Sequence, residues 1–283
     1  MYRIRFFTAT IAAFFSAFFI CSCAGIRTSE STETGAESLH QYPAKDSLVA
    51  ESFQQLQNRS DIGKLLANQD AVAWIATDSV MAILPENSLG LIAGWVAQGS
   101  VSDGYAVFYE KRNDSYYQIV RVNFKNGVLE KSLAHEELEG GIRDLVAAND
   151  SAYNFFMQSG EPLDIKYNSY ILKNEDGYTF YAMPGSTNEY LVYGGAYKLT
   201  ADASLDWNLQ KMHKSPIAIE YSQLSRGDYF VRSSSMEKLL NEADFAQAFI
   251  TSGWAKKQYV STSDYMFLLN FDSQKNMNVM LVK

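Results

Sequence analysis

The chain has 283 residues and a formal charge of −8 at neutral pH, with 47% apolar residues, enough for a sizeable core. That content excludes global disorder, and the acidic balance argues against a nucleic-acid binder. Two cysteines and three histidines argue against a disulfide scaffold or a zinc cluster, while 18 Tyr and 17 Phe point to β-structure.

Residues 1–22 read as a secretory signal. Arg3 and Arg5 form a positive start, and Phe6 to Ile20 is an uncharged, mostly apolar run. The run is short of the roughly 20 apolar residues that a membrane span needs. Ile20-Cys21-Ser22-Cys23 follows: an aliphatic residue, a variable one, a small one, then cysteine. This resembles the lipobox of bacterial lipoproteins. The resemblance implies a diacylglycerol on the Cys23 thiol, cleavage just before it, and acylation of the new amino group. Cys21 fits poorly, because Ile20 would stand at the small-residue position. Several acyl chains on one residue give stable anchoring, where a single chain binds only marginally. The processed chain would lose two of its 24 basic side chains against 32 acidic ones, and would keep no free thiol. Ala24 after the lipidated cysteine implies the outer membrane, facing the periplasm, in a Gram-negative host.

Residues 23–46 are expected to be a lipidated cysteine and a flexible tether. Arg27 to Glu37 is small, polar and acidic, and buries too little to offset its ordering entropy. The folded body is expected over 47–283, as one domain or as two halves meeting near 134–160. Leu48, Val49, Phe53 and Leu56 recur at helical spacing, with Asp46 or Ser47 as the cap. A second helical stretch is read at Ile62, Leu65 and Leu66. Ala71–Ala76 and Val80–Leu84 read as short β-runs, and Leu89–Gln98 as helix or strand. Tyr105–Glu110 and Tyr116–Phe124 flank Arg112-Asn-Asp114, a hairpin loop.

Ala134–Gln158 reads as mainly helical, weakened near its start by Gly140-Gly141. Six strands are predicted next: Tyr167–Leu172, Tyr178–Met183, Tyr190–Tyr193, Ala196–Thr200, Trp207–Met212 and Ile217–Glu220. Asn174-Glu-Asp-Gly177 turns between the first two. Met236–Ile250 reads as the clearest helix, with Ser234 and Glu237 as a capping box and Gly253 past its end. Gln258–Ser261, Tyr265–Phe271 and Met277–Val282 close the chain as strands. Asp103-Gly-Tyr, Asp176-Gly-Tyr and Asp264-Tyr echo one another at hairpin openings, which ordinary hairpin chemistry also explains. The order predicts an α+β fold: mainly antiparallel sheet with about three packed helices.

Chemistry-bearing motifs are sparse. No Gly-x-Ser-x-Gly elbow exists. Ser235-Met-Glu-Lys238 matches Ser-x-x-Lys, but the companion elements of penicillin-recognising enzymes are missing, so a capped helix start is expected there. His40 lies in the tether, and His135-Glu-Glu137 lacks the second histidine of a zinc helix. His213 could serve as a general base, with no partner near it in sequence. Gly194-Gly195 reads as a tight turn or bulge and no phosphate loop. Tyr167-Asn-Ser-Tyr-Ile-Leu172, Tyr181-Ala-Met-Pro184, Gly194-Gly-Ala-Tyr197, Asp202 and His213-Lys-Ser215 together resemble, in outline, a pattern in uncharacterised bacterial envelope proteins. That resemblance implies the envelope and no mechanism.

The tyrosines on strands are expected mainly to pack, though exposed ones beside acids can bind glycans or peptides. The expectation is therefore a lipid-anchored cell-envelope protein acting as a non-enzymatic binding or assembly module. Its partners would be the membrane, through the lipid, and an envelope protein or glycan. No cofactor, metal site, catalytic residue or nucleic-acid partner is expected. The alternative is an envelope hydrolase acting on cell wall or glycan through paired carboxylates. A purely structural lipoprotein is a third possibility.

Overall fold

The computed structural model describes residues 49–162, 165–187, 189–221, 229–233 and 236–282. Cys23, the tether, His40, Asp46, Ser47, Ser234 and Ser235 lie outside them.

The first helix, α1 (Val49–Met81), is continuous. At 1.5 Å per residue its length is about 50 Å. The β-runs expected at Ala71–Ala76 and Val80–Leu84 are therefore corrected: the first and the start of the second lie on this helix. No Gly or Pro interrupts 64–81, and Val72, Ala73, Ala76 and Val80 are buried at helical spacing while Trp74 and Ile75 face outward. A run in which six neighbours are all apolar hides that period. A single turn, α2 (Glu86–Leu89), leads into β1 (Gly94–Gly99).

Four antiparallel strands follow in sequence order: β1, β2 (Asp103–Arg112), β3 (Ser115–Lys125) and β4 (Val128–Leu133). The expected loop between β2 and β3 narrows to Asn113-Asp114, with Asn113 at φ 54°. The expected helix over Ala134–Gln158 is shortened. Helix α3 (Gly140–Gln158) starts at the glycine pair, and β4 lies just before the 134–139 segment. Leu138 is buried from that segment, its N–H donating to Tyr116 O.

The second sheet has the order β5 (Tyr167–Lys173), β6 (Gly177–Pro184), β8 (Tyr197–Asp202), β9 (Asn208–Lys211). A separate ribbon pairs β7 (Tyr190–Gly194) with β10 (Pro216–Glu220). All six strands predicted in this region are present. The third sheet runs β11 (Tyr229–Ser233), β12 (Lys257–Ser261), β13 (Met266–Phe271), β14 (Met277–Leu281). Only its β11–β12 pairing is parallel. The fold is α+β with antiparallel sheets, as expected.

The last long helix is a second correction. Helix α4 is Glu242–Thr251, not Met236–Ile250, and its box is Asn241 with Asp244. The Asn241 side chain accepts from Asp244 N at 3.0 Å, and Asp244 Oδ2 accepts from Asn241 N at 3.1 Å. Upstream, the carbonyls are spent elsewhere. Thr262 Oγ1 donates to Lys238 O at 2.6 Å, Ser263 N to Glu237 O, and Arg59 Nη1 to Leu240 O at 2.9 Å. Those bonds hold the stretch as a run of bends against the β12–β13 turn and leave the helical ladder without acceptors.

The layers follow from strands buried on both faces. In β2, Val107 and Tyr109 face α3, while Ala106 and Phe108 face α1. In β6, Phe180 and Ala182 face α3, while Tyr181 and Met183 face α1 and α4. Such strands read as unbroken apolar runs. The first two sheets thus share α3 on one face and α1 on the other, and Gln98 Nε2 donates to Ile171 O at 3.0 Å where their edges meet. Phe245 and Ala248 carry the opposite side of α4 onto the third sheet. The α1–α4 crossing is set by Gly63, where a Cβ would collide with Phe245 Cβ and Ala246 N. The three sequence echoes fall at or just before the starts of β2, β6 and β13, each the strand with a partner on both sides after its sheet's first hairpin.

Candidate functional site

Two places gather side chains with chemistry. The first contains His213. Its ring is fully buried. Nδ1 accepts from Ala196 N at 3.1 Å, so the neutral ring carries its proton on Nε2, which donates to Asp244 Oδ1 at 3.3 Å. The partner that sequence reading lacked is thus Asp244, 31 residues away on the first turn of α4. Both ring nitrogens are engaged, and no face of the ring reaches solvent. Next to it the Gln247 amide closes on Gly194, accepting from Gly194 N at 3.0 Å and donating to its O at 3.4 Å. Gly194 and Gly195 lie at φ 69° and 66°, the left-handed region that favours glycine, and form the tight turn expected. This assembly fastens α4 to the strand ends. It offers a reactant no access.

The second place is a pocket of about 80 Å³ between α1, β5, β7 and the end of α4. Asp70 stands at its base, 7% exposed. The Tyr170 hydroxyl donates to Asp70 Oδ1 at 2.6 Å, and Asn168 also hydrogen-bonds this carboxyl. Burial pushes Asp70 above the usual carboxylate range, and these two hydrogen bonds oppose the push. Tyr170 is driven well above its ordinary value by the same burial and then by the neighbouring carboxylate.

Three further aromatic residues line the same pocket. Trp74 lies one helical turn beyond Asp70 on α1 and is 50% exposed; Trp254, just past α4, is 44% exposed. Tyr221 packs on Trp254 with ring centroids 5.6 Å apart, and its hydroxyl is hydrogen-bonded with Ser186. Ser186 Oγ in turn accepts from Val192 N at 3.1 Å on β7. The aromatic wall is therefore held in place from behind. Trp254 also borders a wider groove of about 680 Å³, between Lys64, Ala67 and Ala71 of α1, Phe249 and Ile250 of α4, and the β13–β14 turn at Lys275.

Most of the tyrosines singled out by strand pattern pack inside. Tyr109, Tyr167, Tyr170, Tyr181, Tyr193 and Tyr197 are buried. The residues that form the exposed wall, Trp74 and Trp254, were not singled out, because each stands alone in sequence. Hydrolysis by paired carboxylates asks for two acids in one cleft, whereas the pocket is lined by one, Asp70, and the groove by none. His135 is exposed, 3.9 Å from Glu110. Met236 to Lys238 lie in a run of bends before α4 and not on a helix, and Ser235 lies outside the described residues. Among the described residues no three His, Cys, Asp or Glu side chains gather to hold a metal ion. No helix of the described residues is long and apolar enough to cross a membrane. Comparison with protein-family models, curated proteins and solved structures finds no match.

Proposed function

We propose that this chain is a lipid-anchored cell-envelope binding module whose ligand seats between Trp74, Tyr221 and Trp254 over Asp70. The carrying observation is the pairing of two half-exposed tryptophans with a buried acid in one pocket. Exposed tryptophans cost solvation and are enriched where proteins hold partners. The pocket is preformed: Tyr221 is fixed from Ser186 and Asp70 from Tyr170. The anchor rests on the lipobox ending at Cys23, and the tether would let the cleft reach past the lipid headgroups.

The test is cross-linking in intact cells. A photoreactive aromatic amino acid replaces Trp74 in one strain and Leu133, exposed on β4 at the edge of the first sheet opposite β1, in another. The reading predicts a reproducible adduct from position 74 and none from position 133. Equal labelling from both, or none from either, would contradict it. In the same strains, labelling with radioactive palmitate is expected to vanish with Cys23→Ser.

A further inference from the structure

We propose that the Asp70 pocket receives a protonated alkylammonium group. This rests on the cleft reading above and names the chemistry of its ligand. The described residues contain four buried acids: Asp70, Glu110, Glu242 and Asp244. Two have a cationic partner: Glu242 Oε1 meets Lys198 Nζ at 2.7 Å and Glu110 pairs with Arg112. Asp244 has both oxygens held inside the fold, by His213 Nε2 and Asn241 N. Among the described residues Asp70 has only Tyr170 and Asn168, which are neutral. A buried carboxylate without a counter-charge is unfavourable unless the charge arrives from outside.

An ammonium group supplies that charge. Trp74, Tyr221 and Trp254 supply aromatic surfaces, whose negative faces attract a cation. A neutral sugar can donate hydroxyl hydrogen bonds to Asp70 but brings no charge to offset a buried carboxylate. A bare metal ion would find a single carboxylate and no cluster of further ligands. The volume, about 80 Å³, is well below the roughly 150 Å³ that admits benzene, so the pocket suits a headgroup and not a ring. The formal charge of −8 favours approach of a cation.

A pH dependence follows. Burial holds the empty pocket's Asp70 partly towards its neutral form, and a bound cation favours the ionised form. Binding therefore releases a proton and strengthens as pH rises through Asp70's raised value. The other titratable groups lining the pocket are Tyr170 from β5 and Tyr221 after β10. Both phenols are raised by burial and stay neutral throughout, and α4 and β7 contribute no charged side chain to the lining.

The experiment titrates the full chain, in non-ionic detergent, with methylamine, with n-butylamine and with methyl β-glucoside. Tryptophan fluorescence and calorimetry report binding from mildly acidic to neutral pH. Both amines are expected to bind, more weakly as pH falls, and Asp70→Asn is expected to weaken them at least tenfold. The glucoside is expected not to bind. Amines that bind Asp70→Asn as well as the wild type, or that do not bind at all, would overturn the inference. If the glucoside binds and Trp254→Ala abolishes it, the cleft reading stands and the cation is wrong. If no probe binds and position 74 yields no cross-link, both fail.

Discussion

Asp244 and Asp70 are both buried aspartates on helices, and their surroundings assign them opposite roles. Asp244 closes a capping box with Asn241 and holds the His213 ring, so its oxygens meet donors made by the fold. Asp70 meets a phenol and an amide, and its pocket opens between two half-exposed tryptophans. A His–Asp pair is the arrangement that usually suggests catalysis, yet here it is sealed and fully engaged. Among the described residues, the acid without a basic partner is the one that lines an open pocket. Access and unmet charge therefore locate a site better than residue type does.

The largest expected effect lies on the sealed side. Asp244→Ala removes the carboxylate half of the capping box, which accepts from Asn241 N, leaves His213 Nε2 without its acceptor, and is expected to cost about 3 kcal/mol in urea unfolding. If it costs no more than an exposed substitution, the dyad is not the fastening described. Next comes the crossing that presents α4 to both regions. Gly63→Val forces a side chain against Phe245 and Ala246 and should lose about 2 kcal/mol. On the open side the order reverses. Trp74→Ala should leave stability within about 1 kcal/mol, because half the residue is already in solvent, while weakening amine binding at least tenfold. Equal losses in both assays would make Trp74 a packing residue.

The smallest effect has the opposite sign. Gln69, beside Asp70 on α1, is fully buried, and neither atom of its amide has a hydrogen-bond partner among the described residues. Gln69→Met keeps the volume and removes the stranded amide, so thermal unfolding should show a gain of about 1 kcal/mol. A loss would mean that the amide is satisfied.

Much of the fold was legible because its signals are local. The strands of the second sheet carry their own Tyr-rich runs and turn residues, and the structure forms them where expected. The errors arise where tertiary contacts override local signals. Ala71–Ala76 is apolar throughout, so its helical face emerges only once Val72, Ala73 and Ala76 have a sheet to face. Met236–Leu239 has helical spacing, but Lys238 and Glu237 give their carbonyls to Thr262 and Ser263. Strands β4 and β11 were missed: β4 is largely exposed and lacks an apolar stripe, and β11 pairs with a strand beyond α4. The pocket was illegible for the same reason. Asp70, Tyr170, Tyr221 and Trp254 come from four separate segments, and no spacing joins them. Cys23 is the opposite case: its expected lipidation is read from its neighbours alone, and it lies outside the described residues.

The central claim is that Asp70, which has no basic partner among the described residues, is a buried acid kept at a cost to stability. Its carboxyl is raised by burial, so the folded chain holds that proton more tightly than the unfolded chain does. Ionising it destabilises the fold. The penalty is absent below the ordinary carboxylate range, grows as pH rises through it, and is complete above the raised value. The most direct measurement is urea unfolding of wild type and Asp70→Asn across that range, without added amine. The account predicts that Asp70→Asn is the more stable protein at neutral pH and that its advantage shrinks towards nothing as the solution is acidified. A variant less stable at neutral pH, or a difference independent of pH, would contradict it and make Asp70 a structural acceptor for Tyr170.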